Sequence, residues 1–142
     1  MNKKIILGTL FLAGLSVLAL SSCDKDDPAK PVITITEIGS HDSPEGKVAA
    51  GDDLHLEAGI VAEGLIDKIV VEIHQEEGGG FEIEETFGAG SKYAGLKNAE
   101  FHEHIVIPEE APAGEYHLHL TVTDREGQST TAEAELEVIT ED

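Results

Sequence analysis

The sequence predicts an all-β, antiparallel sandwich of about seven strands. Three observations lead to this fold class. Apolar and polar residues alternate with a period of two in successive stretches, clusters of turn-forming residues separate these stretches, and no stretch has the spacing of an amphipathic helix. Short strands joined by turns within about a hundred residues are typical of the immunoglobulin-like sandwich, which we therefore predict for residues 31–140.

Each predicted strand has one apolar face. The first is β-branched throughout, and the second alternates apolar residues with His55, Glu57 and Gly59. The predicted strands, in order, are residues 32–36, 53–61, 66–75, 81–87, 100–107, 114–124 and 128–139. Because successive side chains of a strand point to opposite faces, the alternation predicts one buried and one solvated side for each strand.

Turn-forming segments separate these strands, and each contains glycine: residues 43–46, 51–52, 78–80, 88–90, 112–114 and 124–127. Tyr116, at the start of the sixth strand, stands where sandwich domains often carry a corner tyrosine. In this fold, residues 66–75, 114–124 and 128–139 share one sheet, whereas residues 53–61 and 100–107 share the other.

The N-terminal residues 1–22 have the layout of a signal peptide. Lys3 and Lys4 precede a short apolar run, and Ser21 and Ser22 stand just before Cys23, the only cysteine in the chain. This arrangement resembles a bacterial lipobox, which implies cleavage before Cys23 and acylation of that residue. The alternative is an ordinary signal peptide followed by an incidental cysteine. Lipidation of Cys23 would anchor the chain firmly in a membrane.

Residues 23–30 are polar and charged, and they are predicted to form a flexible tether. Lys25, Asp26 and Asp27 directly follow the cysteine. This short motif resembles the surface-export signal of Bacteroidota lipoproteins, which implies an outer-membrane protein exposed at the cell surface. The alternative is a solvated linker whose charges occur by chance.

The charge of the chain is strongly negative, at −20 from nine basic and 29 acidic residues. Loss of residues 1–22 would remove two lysines and no acid, leaving seven basic and 29 acidic residues and a net charge of −22. Nucleic-acid binders carry basic patches, so this balance argues against nucleic acid and against an anionic membrane face as partner. It favours solubility and cations.

The domain resembles a family of immunoglobulin-like lipoproteins of unknown function from Bacteroidota. The resemblance runs from about Pro31 to Ile139, and its most specific parts are residues 101–108 and 113–117. It implies the sandwich fold and a surface location. It implies no established activity, so function has to be argued from individual residues.

Four of the seven histidines occur in two His-x-His triplets, His102 with His104 and His117 with His119. Residues i and i+2 of a strand point to the same side, so each triplet places two imidazoles on one face. The predicted sheets separate the two triplets, which argues against one four-histidine site. Imidazole is the commonest metal ligand in proteins.

The first candidate site lies on the sheet that contains residues 114–124. If Asp124 pairs with Gln128 in the hairpin, Glu133 lies opposite His119 and Glu135 opposite His117. If Ile66, at the start of the antiparallel strand 66–75, lies beside Arg125, His74 falls beside His117 and Glu72 beside His119. Three imidazoles and one carboxylate complete a tetrahedral shell that suits Zn, Cu(II) or Ni.

The second candidate site comprises His55, His102 and His104, with Glu57 beside them. Here the parity is ambiguous, because Phe101, Glu103, Ile105 and Ile107 share one side of their strand. If the isoleucines are buried, the histidines point outward and Glu103 lies near the frayed start of the strand. If not, the histidines point inward and are not ligands. Outward histidines that are only polar surface residues are the alternative for both sites.

No motif for catalysis is present: there is no nucleophile elbow, phosphate-binding loop or dinucleotide fingerprint. Asp52 and Asp53 lack the spacing of a calcium-binding EF-hand loop. We therefore expect a non-enzymatic surface lipoprotein that binds Zn or Cu and serves an uptake receptor, with a haem axial-ligand role as a variant. The alternative is an interaction module that recognises a protein or glycan without metal.

Overall fold

The computed structural model describes residues 28–41, 45–77 and 79–140, and within these ranges the regular structure is entirely β. The eight strands are β1 (Val32–Gly39), β2 (Lys47–Ala49), β3 (Asp53–Val61), β4 (Ile66–Gln75), β5 (Glu82–Phe87), β6 (Asn98–Val106), β7 (Gly114–Asp124) and β8 (Ser129–Ile139). The predicted signal peptide, Cys23 and the motif at residues 25–27 lie outside the described residues. In the described part of the chain, no helix has the length and apolar character needed to cross a membrane.

The strands form two sheets, with orders β1-β3-β6 and β2-β8-β7-β4-β5. This confirms the immunoglobulin-like sandwich and the predicted grouping of β4, β7 and β8 against β3 and β6. All pairs are antiparallel except β2 with β8. The sequence did not predict β2, because three residues are too few to show an alternating pattern.

The inward faces of the two sheets meet in one core. Its largest fully buried side chains are Tyr116, Phe101, Leu54, Leu56, Ile60, Ile66, Ile69, Ile73, Ile105, Ile107, Leu118 and Leu120. Each of the buried Leu, Ile and Phe side chains stabilises the fold by about 1.5–3 kcal/mol relative to leaving it in water. Tyr93, from the loop between β5 and β6, is also buried in this core, where its ring packs against Phe87 and Phe101.

Two local contacts set the geometry of β7. The Tyr116 hydroxyl donates to the Pro112 carbonyl oxygen at 2.7 Å, which confirms the predicted tyrosine corner. At the other end, the buried Asp124 carboxylate accepts the backbone N–H groups of Glu126 and Gln128 at 3.0 and 2.9 Å. These bonds close the β7–β8 hairpin and hold the register that positions the outward side chains.

Candidate metal centre

The outward face of the three-stranded sheet gathers three histidines. In the β3–β6 register His55 lies opposite His104, and Glu57 opposite His102. Phe101 and Ile105 are 1% and 0% exposed, so His102 and His104, on the other parity, point to solvent. This confirms the alternative in which the isoleucines of the strand are buried and its two histidines point outward.

The position of Glu103 differs from the sequence-based expectation. β6 begins at Asn98, so Glu103 lies in the middle of the strand rather than at a frayed start. Its carboxylate remains partly exposed because β6 is at the edge of its sheet, and it accepts a hydrogen bond from the Tyr93 hydroxyl at 2.5 Å. It also pairs with the Lys92 ammonium at 2.8 Å.

The nitrogens of the three histidines converge. His55 Nε2 lies 3.1 Å from His102 Nε2, and the His104 ring stacks on the His55 ring with centroids 5.0 Å apart. One ligand atom from each of the three residues lies within 4.8 Å of the others. Two nitrogens on one tetrahedral zinc ion, with bonds of about 2.0–2.1 Å, lie roughly 3.3 Å apart. The His55–His102 separation is therefore close to that of two ligands of one ion.

Carboxylates hold the other ring nitrogens. Glu57 Oε1 lies 3.0 Å from His102 Nδ1, and Glu37 Oε1 lies 3.4 Å from His55 Nδ1. A carboxylate at Nδ1 favours the tautomer that carries its proton there, which at His102 leaves Nε2 unprotonated and able to bind a metal. His55 also has Glu57 Oε1 3.3 Å from its Nε2, so without a metal its Nε2 can carry the proton and donate to His102 Nε2. Both histidines thus direct Nε2 toward the same point.

Glu37 was missed in the sequence because strand parity places it on the wrong face. Ile33 and Ile35 pack against the core, so regular alternation would turn residue 37 inward as well. A register shift between Ile35 and Glu37 reverses the parity and places Glu37 opposite Glu57. No glycine or proline lies at residues 33–38 to predict this bulge from the sequence.

The centre opens to solvent. It lies in a depression of about 520 Å³, whose other lining residues are Ser40, His41, Asp52 and Asp53. Three histidine ligands would leave a fourth position of a tetrahedral ion facing this space, available to water, to a carboxylate or to a group from a partner.

The five-stranded sheet carries the second histidine group in the predicted register. His74 lies opposite His117 and Glu72 opposite His119, while Glu133 and Glu135 lie opposite His119 and His117. His74 Nε2 is 3.2 Å from His119 Nε2, but His119 Nδ1 is 3.8 Å from Glu133 Oε1. His117 faces Glu76 instead, at 3.7 Å.

This second group is less convergent than the first. Among the described residues, three ligand atoms come within 4.8 Å of one another in His55–His102–His104, Glu37–His55–Glu57 and Glu72–Glu82–Glu84, and the set His74, His117 and His119 is not one of these. The sequence favoured the five-stranded sheet, whereas the geometry favours the three-stranded sheet. A metal role for His74, His117, His119, Glu133 and Glu135 stays a prediction.

The charges around Tyr93 shift the titration of their neighbours. Burial raises the pKa of the Tyr93 hydroxyl, and its hydrogen bond to Glu103 raises it further. Burial by itself would raise the pKa of Glu103, but hydrogen bonds from Lys92 and Tyr93 hold it below its ordinary value. On β5, an edge strand of the other sheet, burial and the charge of Glu103 raise the pKa of Glu85.

Comparison with known proteins gives structural and family relationships. OgpA from Akkermansia muciniphila superimposes with a TM-score of 0.53 at 14% identity, covering 77% of this chain and 29% of that one. The sporulation control protein Spo0M from Bacillus subtilis superimposes with a TM-score of 0.53 at 9% identity, covering 80% of this chain and 51% of that one. The present chain thus spans 29% and 51% of the lengths of these two structures, and at such identities the likeness concerns the fold alone.

No curated protein sequence matches the chain. A family model does match it, over residues 20–139, which include β1 to β8. The chain therefore belongs to the family described as a domain of unknown function, DUF4625.

Proposed function

We propose that this protein is a non-catalytic surface lipoprotein whose sandwich domain binds a transition metal, Zn or Cu, through His55, His102 and His104. One observation carries the proposal. His55 and His102 turn their Nε2 atoms toward each other at 3.1 Å while a carboxylate faces Nδ1 of each ring. Nitrogen donors with carboxylates behind them are the arrangement that binds and orients zinc in proteins.

The ligand types narrow the choice of ion. Imidazole suits Zn, Cu and Ni, whereas Mg and Ca prefer shells made of oxygen atoms. Glu37 and Glu57 offset the positive charge that an ion would bring to the sheet. The chain's net charge of −20 raises the local concentration of cations around the domain.

Metal binding and the predicted lipid anchor at Cys23 fit one role at the membrane. A domain tethered through Cys23 at the outer membrane would capture metal from the surroundings and pass it to an uptake receptor. The open depression at the centre supports this role, because an exchangeable ion needs a path by which a partner's ligand can reach it. Cys23→Ser should move the protein from the membrane fraction to the soluble fraction; membrane retention of the variant would contradict lipid anchoring.

Equilibrium dialysis of the full-length protein against Zn(II) and Cu(II) tests the proposal. We expect at least one site with a Kd below about 10 µM, which is roughly −7 kcal/mol. The double variant His55→Ala with His102→Ala should lose that site. The matched control, His74→Ala with His119→Ala, removes the same two side-chain types from the opposite sheet and should retain it. Equal binding by the wild type and the first variant would defeat the proposal.

A second metal site on the five-stranded sheet is supported by the His74–His119 contact of 3.2 Å. His117, Glu133 and Glu135 would complete its shell after modest side-chain rotation. In the same dialysis a stoichiometry of two ions, reduced to one by His74→Ala with His119→Ala, would support this site. One ion for both proteins would argue against it.

The alternative function is an interaction module. Gly59 leaves the outward face of β3 open, since no atom lies within 4 Å of the position its Cβ would take. Beside it, Val32 and Val61 are 57% and 43% exposed and line a depression of about 320 Å³. Exposed apolar residues around a hollow suit a protein or glycan ligand. Partner binding that survives chelation and is lost in Val61→Lys would favour this alternative.

A further inference from the structure

We propose that Tyr93 is a positioning residue for the metal centre, holding the backbone of His102 through its hydroxyl group. The inference rests on the proposed function of His55, His102 and His104. It concerns a residue that lies nine positions before His102, in a loop outside the strands that carry the ligands.

The contact replaces a missing strand neighbour. β6 is an edge strand whose partner within the sheet is β3, so half of its backbone groups face away from the sheet. The His102 N–H donates to the Tyr93 hydroxyl oxygen at 3.2 Å. The hydroxyl thus occupies the place that a carbonyl oxygen of a further strand would take beside His102.

The hydroxyl itself is held from two sides. Tyr93 is 2% exposed, and its ring packs against Phe87 and Phe101 with centroids 6.0 and 5.1 Å away. The hydroxyl donates to Glu103 Oε1 at 2.5 Å, and Lys92 Nζ lies 2.8 Å from the same oxygen. The direction of the hydroxyl is therefore set by the core on one side and by an ion pair on the other.

This arrangement connects the core to the ligand. Phe101, Glu103 and the N–H of His102 all contact Tyr93, so three successive residues of β6 are fixed around one side chain. Loss of the hydroxyl would free the edge strand at the residue whose Nε2 faces His55. Loss of groups that orient metal ligands typically weakens metal affinity about tenfold to hundredfold.

A buried tyrosine hydroxyl can also be purely structural, and Tyr116 provides the matched control. Tyr116→Phe removes one buried hydroxyl that donates to the Pro112 carbonyl oxygen, on the five-stranded sheet. Both Tyr→Phe variants should lower the thermal midpoint by a similar few degrees. Only Tyr93→Phe should weaken metal binding and alter the spectrum of the bound ion.

Glu103 gives a second test that leaves the aromatic core intact. Glu103→Ala removes the acceptor of the Tyr93 hydroxyl, whereas Glu103→Gln keeps an oxygen at that position. If Glu103 acts by holding the Tyr93 hydroxyl in place, Glu103→Ala weakens metal binding, whereas Glu103→Gln keeps most of the wild-type affinity. Equal weakening by both variants would indicate that the charge of Glu103 acts directly on the ion, which would overturn the inference.

The experiment is a titration of full-length wild type, the two Tyr→Phe variants and the two Glu103 variants with Zn(II), and with Co(II) for its visible absorption spectrum. We expect at least a tenfold rise in Kd and a changed Co(II) spectrum for Tyr93→Phe, with neither change for Tyr116→Phe. Wild-type affinity in Tyr93→Phe, or equal losses in both Tyr→Phe variants, overturns the inference while leaving the proposed function in place. Absence of metal binding by the wild type defeats the proposed function and this inference with it.

Discussion

His55 and His102 meet diagonally across β3 and β6. In the register His55 lies opposite His104, and Glu57 opposite His102, yet the 3.1 Å contact joins Nε2 of His55 to Nε2 of His102. Glu57 Oε1 lies close to both rings, 3.3 Å from His55 Nε2 and 3.0 Å from His102 Nδ1. The diagonal contact is thus set by side-chain rotamers and by the carboxylates, in addition to the strand register.

Glu57→Ala should weaken metal binding about tenfold to hundredfold, because it removes the acceptor that orients His102. Isothermal titration with Zn(II) measures the change. Glu100→Ala is the control, because this substitution removes the same charge from the same outward face, at a residue that lies opposite Gly59. Equal losses in the two variants would show that overall charge, rather than orientation of His102, governs the affinity.

Metal should stabilise the domain against heat. An ion at a hundred times its Kd stabilises the folded state by about 2.7 kcal/mol if the unfolded chain does not bind it. For a domain of about a hundred residues this raises the melting midpoint by roughly ten degrees or more. Differential scanning fluorimetry with Zn(II), and again after addition of EDTA, measures the shift.

The double variant His55→Ala with His102→Ala should lose most of that thermal shift. The opposite-face variant, His74→Ala with His119→Ala, should keep it. If the wild type has the same melting midpoint with zinc as with zinc followed by EDTA, the domain has no stabilising zinc site.

Gly64→Ala and Gly59→Ala should differ in stability. A Cβ at residue 64 would lie 2.6 Å from Oδ2 of the buried Asp124, whereas a Cβ at residue 59 would meet no atom within 4 Å. We expect Gly64→Ala to destabilise the fold by about 1–3 kcal/mol through overpacking. Gly59→Ala should be neutral, or stabilising by about 0.4–1 kcal/mol, because it restricts the unfolded chain. Urea unfolding measures both, and equal midpoints would contradict the close packing at Asp124.

Glu85 and Glu103 should affect the pH dependence of stability in opposite directions. The pKa of Glu85 is raised in the folded state, so its favourable contribution is complete below its unfolded pKa and is lost as pH rises through the folded value. Glu85→Gln should therefore gain stability relative to the wild type as pH increases from about 4 toward 7. If the difference in unfolding free energy between Glu85→Gln and the wild type is constant across this pH range, the pKa of Glu85 is not raised by folding.

The pKa of Glu103 is lowered, so its contribution is present above its unfolded pKa and is lost as pH falls through the folded value. Glu103→Gln should therefore lose less stability than the wild type on acidification below about pH 4.5. Urea midpoints measured from neutral pH down into this range, with Glu100→Gln as an exposed control, check the prediction. A parallel loss in all three proteins would show that Glu103 is not the group responsible.

The sequence by itself determined the sandwich fold and the grouping of β4, β7 and β8 against β3 and β6, and with one assumed starting pair for each hairpin or strand pair it gave the registers of β4, β7 and β8. It could do so because strand periodicity identifies the buried face and the Asp124 turn sets the pairing of the hairpin. The same reasoning placed His55 and Glu57 beside His102 and His104, once Phe101 and Ile105 are buried. The resemblance to a family of unknown function agreed with the matching family, but neither identifies a ligand.

Only the tertiary structure decided which histidine group converges. A bulge in β1 turns Glu37 outward, and a loop brings Tyr93 against the edge of β6; neither follows from a period of two. His55 and His102 are 47 residues apart in the chain, and their ring nitrogens meet at 3.1 Å with Glu57 Oε1 3.0 Å from His102 Nδ1. Alternation in a sequence specifies which face a side chain occupies, whereas the distance between two ring nitrogens depends on packing across strands that are far apart in the chain.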